Sequence, residues 1–330
     1  MRRLLLRAPH DLVVEEVPDP LPAPGEVLVR VAAAGVCGSD LYGSRGVNDR
    51  RRPGTVMGHE VSGTVVGLGD DVETAWLGRA VAVNPVLGCE HCRACRAGER
   101  QRCPDKALIG CVPQHPGGFA ELLTAPVTAL AAWPGPAPLV WGALAEPLAV
   151  GLHAVGRLAL RDTTVLVVGS GPVALSAGWA GQRGGAQVVV TETEPGRGRL
   201  VRSLGLATQR QDQLHPATRY DAVVDCVANE ESLHLALRHV RPTGSVVVVG
   251  LGATVAPIPV DLLVQGDRAL LGSAQYSSAS FADAVAWLAS GRLDVSPLMG
   301  EPQPLTAGPV LFRTWREGDT RPLRSLLAPA

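Results

Sequence analysis

Four cysteines stand close together in one short segment, Cys89, Cys92, Cys95 and Cys103, with the spacing C-x2-C-x2-C-x7-C. Four thiolates so arranged can surround one tetrahedral Zn²⁺, which is the geometry of structural zinc sites. Two disulfides of a small secreted fold would be the alternative. The chain has only seven cysteines in 330 residues and no signal-peptide pattern, which disfavours that alternative. The spacing predicts a structural zinc site, with His91 as an exposed loop residue beside it.

A second set of metal-binding residue types is spread along the first half of the chain. Cys37 lies in GVCGSD, His59 and Glu60 lie in GHE, and Glu146 lies in AEP. A catalytic zinc site combines such side chains with one position open to water or substrate. Each residue alone would more often be structural, but their order and sequence surroundings make the set a candidate catalytic centre.

A glycine-rich turn, VLVVGSGPVALSAG, follows an apolar run and opens a helical pattern. Gly169 permits the tight turn, Gly171 lets the backbone approach a pyrophosphate, and Ala174 allows close packing of helix and strand. Glu192 ends the next strand, where a carboxylate can accept hydrogen bonds from ribose hydroxyls. Glu192 favours NAD over NADP because it would repel a 2′-phosphate, whereas Arg197 argues for NADP. FAD or S-adenosylmethionine could also use such a turn.

The secondary structure that must position these groups is predicted to differ between the two halves of the chain. The first half has short β-branched runs punctuated by Pro and Gly, and residues 139–160 read as a helix interrupted at Pro147. Strands then alternate with helices, with strands expected at 165–171, 187–192, 221–227 and 244–250. A further helix is expected over 281–294, ending near Gly291. The alternation predicts βαβ units and a parallel sheet.

Length and charge exclude several classes of protein. A chain of 330 residues suits two domains. Its net charge of −1 and isoelectric point of about 6.7 give no basic footprint for nucleic acid or an anionic membrane. No apolar stretch is a convincing membrane span, and the first residues lack a targeting pattern. We therefore expect a cytoplasmic protein with no nucleic-acid or membrane partner.

GVCGSD, GHE, the four-cysteine segment, AEP and the GSGPVA turn occur in one order across the chain. In this set and order the chain resembles the zinc-containing medium-chain dehydrogenase/reductase superfamily, which includes the alcohol, sorbitol and threonine dehydrogenases. The resemblance implies an α/β chain of two domains. A GroES-like β-rich catalytic domain with both zinc sites would span 1–152, and a Rossmann NAD-binding domain 153–288. Residues 289–330 would return to the catalytic domain.

The resemblance also assigns roles to residues. Cys37 and His59 would be catalytic zinc ligands, with either Glu60 or Glu146 as the third, a carboxylate set typical of the sorbitol and threonine dehydrogenase branch. Asp40 would orient the ligating His, and Ser39 would accept the substrate proton. Tyr42 stands where many relatives have a His that relays this proton, and Gln275 where sorbitol dehydrogenase-like chains have Arg. The expected cofactor-contacting residues are Gly169, Gly171, Pro172, Val173, Glu192, Arg197, Val249, Gly250, Leu251 and Gln275.

The implied function is hydride transfer between NAD and a secondary alcohol, which would be a polyol, sugar, cyclitol or aminocyclitol. Dehydrogenases of aminocyclitol antibiotic pathways, such as 2-deoxy-scyllo-inosamine dehydrogenases, are one candidate group. The alternatives are a threonine dehydrogenase-like oxidation of an amino alcohol and a non-catalytic nucleotide-binding scaffold. The resemblance implies two Zn²⁺ per chain, NAD rather than NADP, and assembly as a homodimer or homotetramer.

Overall fold

The structure is a computed structural model that describes residues 1–46, 51–316 and 324–329. The chain divides into two units. The first comprises Met1–Glu146 and Phe281–Ala330, and the second comprises Pro147–Ser280. The observed boundaries, at 146 and 280, lie six and eight residues before the expected boundaries at 152 and 288. The segment 289–330 groups with the first unit.

The first unit is built mainly from short strands. They are β1 (Arg2–Ala8), β2 (Asp11–Glu16), β3 (Glu26–Gly35), β4 (Thr55–Val56), β5 (Glu60–Leu68), β6 (Ala80–Val83), β7 (Val86–Leu87), β8 (Ala107–Leu108), β9 (Leu122–Pro126) and β10 (Leu130–Ala132), with β17 (Gln303–Pro304) and β18 (Leu326–Ala328) from later in the chain. One sheet has the order β10-β6-β5-β3-β18-β17, with β9 also pairing β3. Alternating residues of these strands, such as Val27, Val29 and Val31, are buried, as expected for strands with one face in a core.

Among the described residues, this unit contains the short helices α1 (Gly38–Ser44), α2 (Arg93–Arg96) and α9 (Gly308–Arg316). Two longer helices, α3 (Ala145–Val155) and α8 (Ser278–Ala289), run across the two points in the chain where one unit gives way to the other. 3₁₀ turns cover Thr74–Trp76, Arg100–Arg102, Val127–Ala129, Leu139–Leu144 and Leu305–Ala307. The expected break at Pro147 is wrong: a 3₁₀ turn ends at Leu144 and α3 runs through Pro147. The proline is tolerated because it lies in the first turn of α3, where backbone N–H groups have no intrahelical partner.

The second unit alternates strands and helices. Its strands are β11 (Thr164–Val168), β12 (Gln187–Glu192), β13 (Ala207–Arg210), β14 (Tyr220–Asp225), β15 (Val240–Val248) and β16 (Ala269–Gly272). Its helices are α4 (Pro172–Arg183), α5 (Pro195–Ser203), α6 (Glu230–His239) and α7 (Val260–Gln265), with a 3₁₀ turn at Gln211–Gln213. All strand pairs are parallel, in the order β13-β12-β11-β14-β15-β16.

The parallel sheet confirms the predicted βαβ organisation. The strand order reverses between β11 and β14, and the carboxyl ends beside such a reversal are where open parallel sheets bind ligands. The strands β13 and β16 were not predicted, because each has only four residues and lacks a long β-branched run. None of the helices in the described part of the chain has both the length and the hydropathy that crossing a bilayer requires.

Candidate metal centres and cofactor site

The four cysteines predicted to bind zinc lie together, with their sulfur atoms within 4.8 Å of one another. Backbone amides donate to the sulfurs: Cys92 N to Cys89 Sγ at 3.3 Å, and Cys95 N to Cys92 Sγ and Cys89 N to Cys103 Sγ, each at 3.4 Å. The Sγ atoms of Cys89 and Cys95 are 4.0 Å apart. Tetrahedral Zn–S bonds of about 2.3 Å require S···S distances of about 3.8 Å. The donor set and its spacing therefore fit Zn²⁺.

Local structure produces this cluster. Cys92 is the N-cap of α2, so its side chain accepts from the amide of Cys95 in the first turn. Gly88 leaves room for the Cys95 sulfur, because a Cβ at position 88 would collide with it. The backbone hydrogen bond at His91 lowers the pKa of Cys89 to about 6, which favours the thiolate that zinc binds. His91 itself is exposed, as predicted.

Cys37, His59 and Glu60 form the second cluster, with one ligand atom of each within 4.8 Å of the others. Cys37 is the N-cap of α1, and the Asp40 side chain returns to accept from the Cys37 amide at 3.2 Å. This capping arrangement fixes the chain where the sulfur is presented. One sulfur, one imidazole nitrogen and one carboxylate oxygen are a donor set that suits catalytic zinc.

Asp40 contacts two residues of this cluster, Cys37 and His59, and is fully buried. Its Oδ1 lies 3.3 Å from His59 Nδ1, which leaves Nε2 of His59 for a metal. Burial alone would raise the pKa of Asp40, but the charges of His59 and Arg51 outweigh that effect and hold it at about 2. Asp40 is therefore an ionised carboxylate that can orient the His59 ring.

Arg51 is a buried cation that sequence analysis missed. Its Nη2 donates to Asp40 Oδ1 at 2.9 Å and to Ser39 Oγ at 3.3 Å. In the sequence Arg51 is the middle one of three consecutive arginines at positions 50–52, and no pattern distinguishes it from its neighbours. Ser39 lies half-buried in α1. Tyr42 is half exposed, and the Arg45 guanidinium lies 5.7 Å from its ring centroid.

Glu60 forms an ion pair with Arg324, and both side chains are almost completely buried. Arg324 Nη2 also donates to the carbonyl of Ala143 at 2.7 Å. Gly35 is necessary here, because a Cβ at that position would collide with the guanidinium and with the Glu60 carboxylate. A role for Arg324 was not predicted from the sequence. This arginine holds one oxygen of Glu60 in place beside Cys37 and His59.

Glu146, the other candidate third ligand, is not among the described residues that group within 4.8 Å. It lies near enough for the charges of His59 and Glu60 to affect its pKa. Burial raises its pKa to about 7, although His59 opposes this shift and Glu60 adds to it. The geometry thus favours Glu60 as the carboxylate of the cluster, with Glu146 as a nearby acid of unusually high pKa.

The glycine-rich turn follows β11, as predicted. Gly169 has φ +99°, a left-handed conformation that glycine adopts without strain. Gly171 is the N-cap of α4 and Pro172 its first residue, so the first amides of a twelve-residue helix lie beside the turn. A Cβ added at Gly171 would meet no atom within 4 Å, so space lies next to these donors. The turn fits a dinucleotide pyrophosphate.

Glu192 ends β12 and turns towards this segment. The Ser170 hydroxyl donates to Glu192 Oε2, and the amides of Thr193 and Glu194 donate to Oε1 at 2.6 and 2.7 Å. The carboxylate is buried and fixed beside the turn, where ribose hydroxyls can donate to it. The contact with Ser170 was not predicted.

The other expected cofactor residues are distributed around the same edge of the parallel sheet. Val173 is in the first turn of α4, and Arg197 is half-buried in α5. Val249 and Gly250 follow β15 and donate to the carbonyl of Asp225 at 2.8 and 3.1 Å. Leu251 is 69% exposed. Gln275 follows β16 with φ +54°, and its Oε1 is buried with no hydrogen-bond partner among the described residues.

Comparisons with known proteins agree with this geometry. The Alcohol dehydrogenase GroES-like domain family matches residues 23–135, and the Zinc-binding dehydrogenase family matches residues 172–290. L-galactonate-5-dehydrogenase of Escherichia coli is 30% identical over 91% of this chain and 90% of that protein. Sorbitol dehydrogenase of Bacillus subtilis is 29% identical over 91% and 89%. The structure of acetophenone reductase from Geotrichum candidum in complex with NAD superposes with a TM-score of 0.89 and 26% identity, covering 99% and 96% of the two chains.

Proposed function

Because the chain belongs to the zinc-containing medium-chain alcohol dehydrogenase superfamily, in its sorbitol dehydrogenase-like branch, we propose that it interconverts a secondary alcohol and a ketone with NAD. It is a zinc-dependent oxidoreductase acting on CH–OH groups. The observation that carries the proposal is the cluster of Cys37, His59 and Glu60 above the buried Asp40, in the same chain as an intact dinucleotide turn.

The first unit would hold the catalytic zinc. Cys37, His59 and Glu60 would bind it, leaving a position for substrate, while Glu146 could exchange with Glu60. When bound, Zn²⁺ supplies Lewis-acid chemistry that lowers the pKa of a substrate hydroxyl. Asp40 would keep the His59 ring oriented, and Arg324 would hold Glu60 from the opposite side.

Ser39 would accept the proton of the substrate hydroxyl. Its hydroxyl is half-buried, two residues after Cys37, so it lies at the start of α1 with the proposed ligand. Tyr42 is three residues after Ser39 in α1 and half exposed, so the two side chains share one side of the helix, and the phenol is in contact with solvent. We propose Tyr42 as the next group on the proton's way out.

The second unit would bind NAD. The turn at Gly169–Gly171 and the first residues of α4 would hold the pyrophosphate, with contributions from Pro172 and Val173. Glu192 would accept from the ribose hydroxyls, while Arg197, Val249, Gly250, Leu251 and Gln275 would line the remainder. Bound NAD⁺ supplies the hydride acceptor. The fixed carboxylate of Glu192 supports NAD over NADP, since a 2′-phosphate would meet a negative charge.

The proposed substrate is a polyol or sugar derivative with a secondary hydroxyl, including sugar acids and aminocyclitols. The relatives named above act on a sugar acid and on sorbitol, which supports this class. The test is NAD⁺ reduction, followed by nicotinamide absorbance, over polyols, aldonates, cyclitols, aminocyclitols and threonine, with a chelator-stripped control. A metal-dependent signal with a polyol or sugar derivative supports the proposal. Turnover of threonine alone would replace it with amino-alcohol oxidation.

We further propose that the chain is cytoplasmic and forms a homodimer or homotetramer. Free thiols arranged for zinc suit a reducing compartment. Leu251, Val255, Val260 and Val264 are large apolar side chains that are more than half exposed, and all four precede the edge strand β16 in the sequence. A second copy covering this surface would remove them from water. Light scattering tests the assembly, and a monomer at all concentrations would contradict it.

A further inference from the structure

Arg51 is buried beside the proposed zinc centre, and neither the cysteine pattern nor the family resemblance assigns it a role. Its side chain is 4% exposed, and that of Asp40 is fully buried. Arg51 Nε and Nη2 both donate to Asp40 Oδ1, at 3.1 and 2.9 Å. Nη2 also lies 3.3 Å from Ser39 Oγ. One guanidinium therefore contacts both the carboxylate that orients His59 and the hydroxyl proposed to accept the substrate proton.

Arg51 shares its acceptor with His59. His59 Nδ1 lies 3.3 Å from Asp40 Oδ1 and 3.4 Å from Arg51 Nη2. An ionised carboxylate can only accept and a guanidinium can only donate, so His59 with its proton on Nδ1 and Arg51 are two donors that meet at one oxygen of Asp40. The other oxygen, Oδ2, accepts from the Cys37 amide. The Asp40 carboxylate therefore contacts three groups, the Cys37 amide, His59 and Arg51, and Arg51 is the only one of the three with a permanent positive charge.

A glycine in α1 leaves the space that the Arg51 side chain occupies. A Cβ at Gly43 would collide with Cγ of Arg51, so the absence of a side chain there lets the arginine stem cross the helix. Gly43 and Arg51 are both buried. The stem is consequently confined, and the guanidinium reaches Asp40 and Ser39 from a fixed direction.

We propose that Arg51 is a positioning residue for the reaction: it fixes Asp40, and through it His59, and it occupies one lone pair of Ser39 Oγ. With that lone pair taken, the remaining one accepts from the substrate and the Ser39 proton leaves away from Arg51, which cannot accept it. This inference rests on the proposed function and adds a residue and a direction of proton transfer to it.

Two substitutions separate the two contacts. Arg51→Met keeps an aliphatic stem and removes the charge. Zinc affinity at the Cys37–His59–Glu60 centre should fall about 10–100-fold in competition with a chromogenic chelator, as when other groups that orient metal ligands are lost. The four-cysteine centre and NAD⁺ affinity should not change. Arg51→Lys restores one charge near Asp40, but a single ammonium lacks the fork that reaches Ser39 as well. It should retain zinc while kcat falls about tenfold with unchanged KM.

Arg52→Met is the matched control, since the neighbouring Arg52 is exposed. It should match the wild type in zinc affinity and kcat. Wild-type zinc affinity in Arg51→Met, or an equal loss in Arg52→Met, would overturn the proposal. If Arg51→Met does not fold, Arg51→Lys tests the proposal alone. Wild-type kcat in Arg51→Lys would overturn the proposal that Arg51 directs proton transfer through Ser39. A wild-type protein without zinc at this centre would instead refute the proposed function, so the two failures are distinguishable.

Discussion

Substituting Cys95 by Ala tests the proposed structural zinc site most directly. Among residues 87–108 the only buried side chains are Cys95, Gln101 and Cys103, so two of the three are proposed zinc ligands. This segment has almost no apolar core of its own. Zinc binding contributes about 10–16 kcal/mol in small zinc-dependent peptides, against a total stability of about 5–15 kcal/mol for a typical domain. Loss of one ligand should therefore unfold the segment while the sheet of the first unit persists.

The assay combines two measurements on the purified protein. Metal analysis should give two zinc ions per chain for the wild type and one for Cys95→Ala. Hydrogen exchange should show lost protection of the amides between 88 and 104, with β3 and β5 unchanged. Cys226→Ala is the control, because Cys226 lies in the second unit and outside both metal-binding clusters. A Cys95→Ala protein with two zinc ions and wild-type exchange would refute the reasoning.

Three further predictions concern the other sites. Cys37→Ala should lower alcohol oxidation at least about 10³-fold, since it removes a proposed ligand of the zinc ion that acts as Lewis acid. NAD⁺ affinity, measured by fluorescence quenching, should persist, and turnover in a zinc-verified variant would contradict the assignment. Glu192→Ala should raise KM for NAD⁺ about 10- to 150-fold, the equivalent of about 1.5–3 kcal/mol for hydrogen bonds to a charged group. Comparing kcat/KM for NAD⁺ and NADP⁺ checks this, and an unchanged ratio would remove Glu192 from cofactor selection. The hydrogen bond from the Thr164 amide, together with the charge of Arg241, lowers the pKa of Asp221. Ionised Asp221 therefore stabilises the folded state above about pH 4, and this stabilisation is lost as the pH falls through the lowered pKa. In urea unfolding, the stability gap between wild type and Asp221→Asn should be constant from about pH 5 to 7 and narrow below about pH 4; a gap that widens on acidification would contradict the sign.

Features encoded by neighbouring residues could be predicted from the sequence. The four cysteines are within fifteen residues, and Cys37, Ser39 and Asp40 are within four, so spacing alone brings them together. The glycine turn is equally local, with a strand before it and a helix after it. The parallel sheet followed from the alternation of elements. These features depend on backbone conformation within one or two turns of the chain.

Features that depend on distant residues could not be predicted. Arg324 meets Glu60 only because β18 pairs with β3, and no spacing rule links residues so far apart. Arg51 reaches Asp40 because Gly43 lets its stem cross α1, which a list of arginines does not reveal. The choice between Glu60 and Glu146 likewise depended on three-dimensional distance. The strands β13 and β16 were missed because each has only four residues and takes its stability from a neighbouring strand.

The pairing of β18 with β3 affects the order in which the protein can fold during synthesis. Leu326 and Leu327 pair with Gly35 and Ala34, yet the ribosome makes the whole second unit between them. β9 pairs with β3 only over Glu26–Arg30, so until residues 324–328 emerge Ala34 and Gly35 lack a partner strand on that side, and Glu60 lacks its ion pair with Arg324. The second unit is continuous in sequence and can fold first. The first unit is complete only when its second segment, 281–330, has been made, and during that interval the unpaired end of β3 is a site for association with other nascent chains.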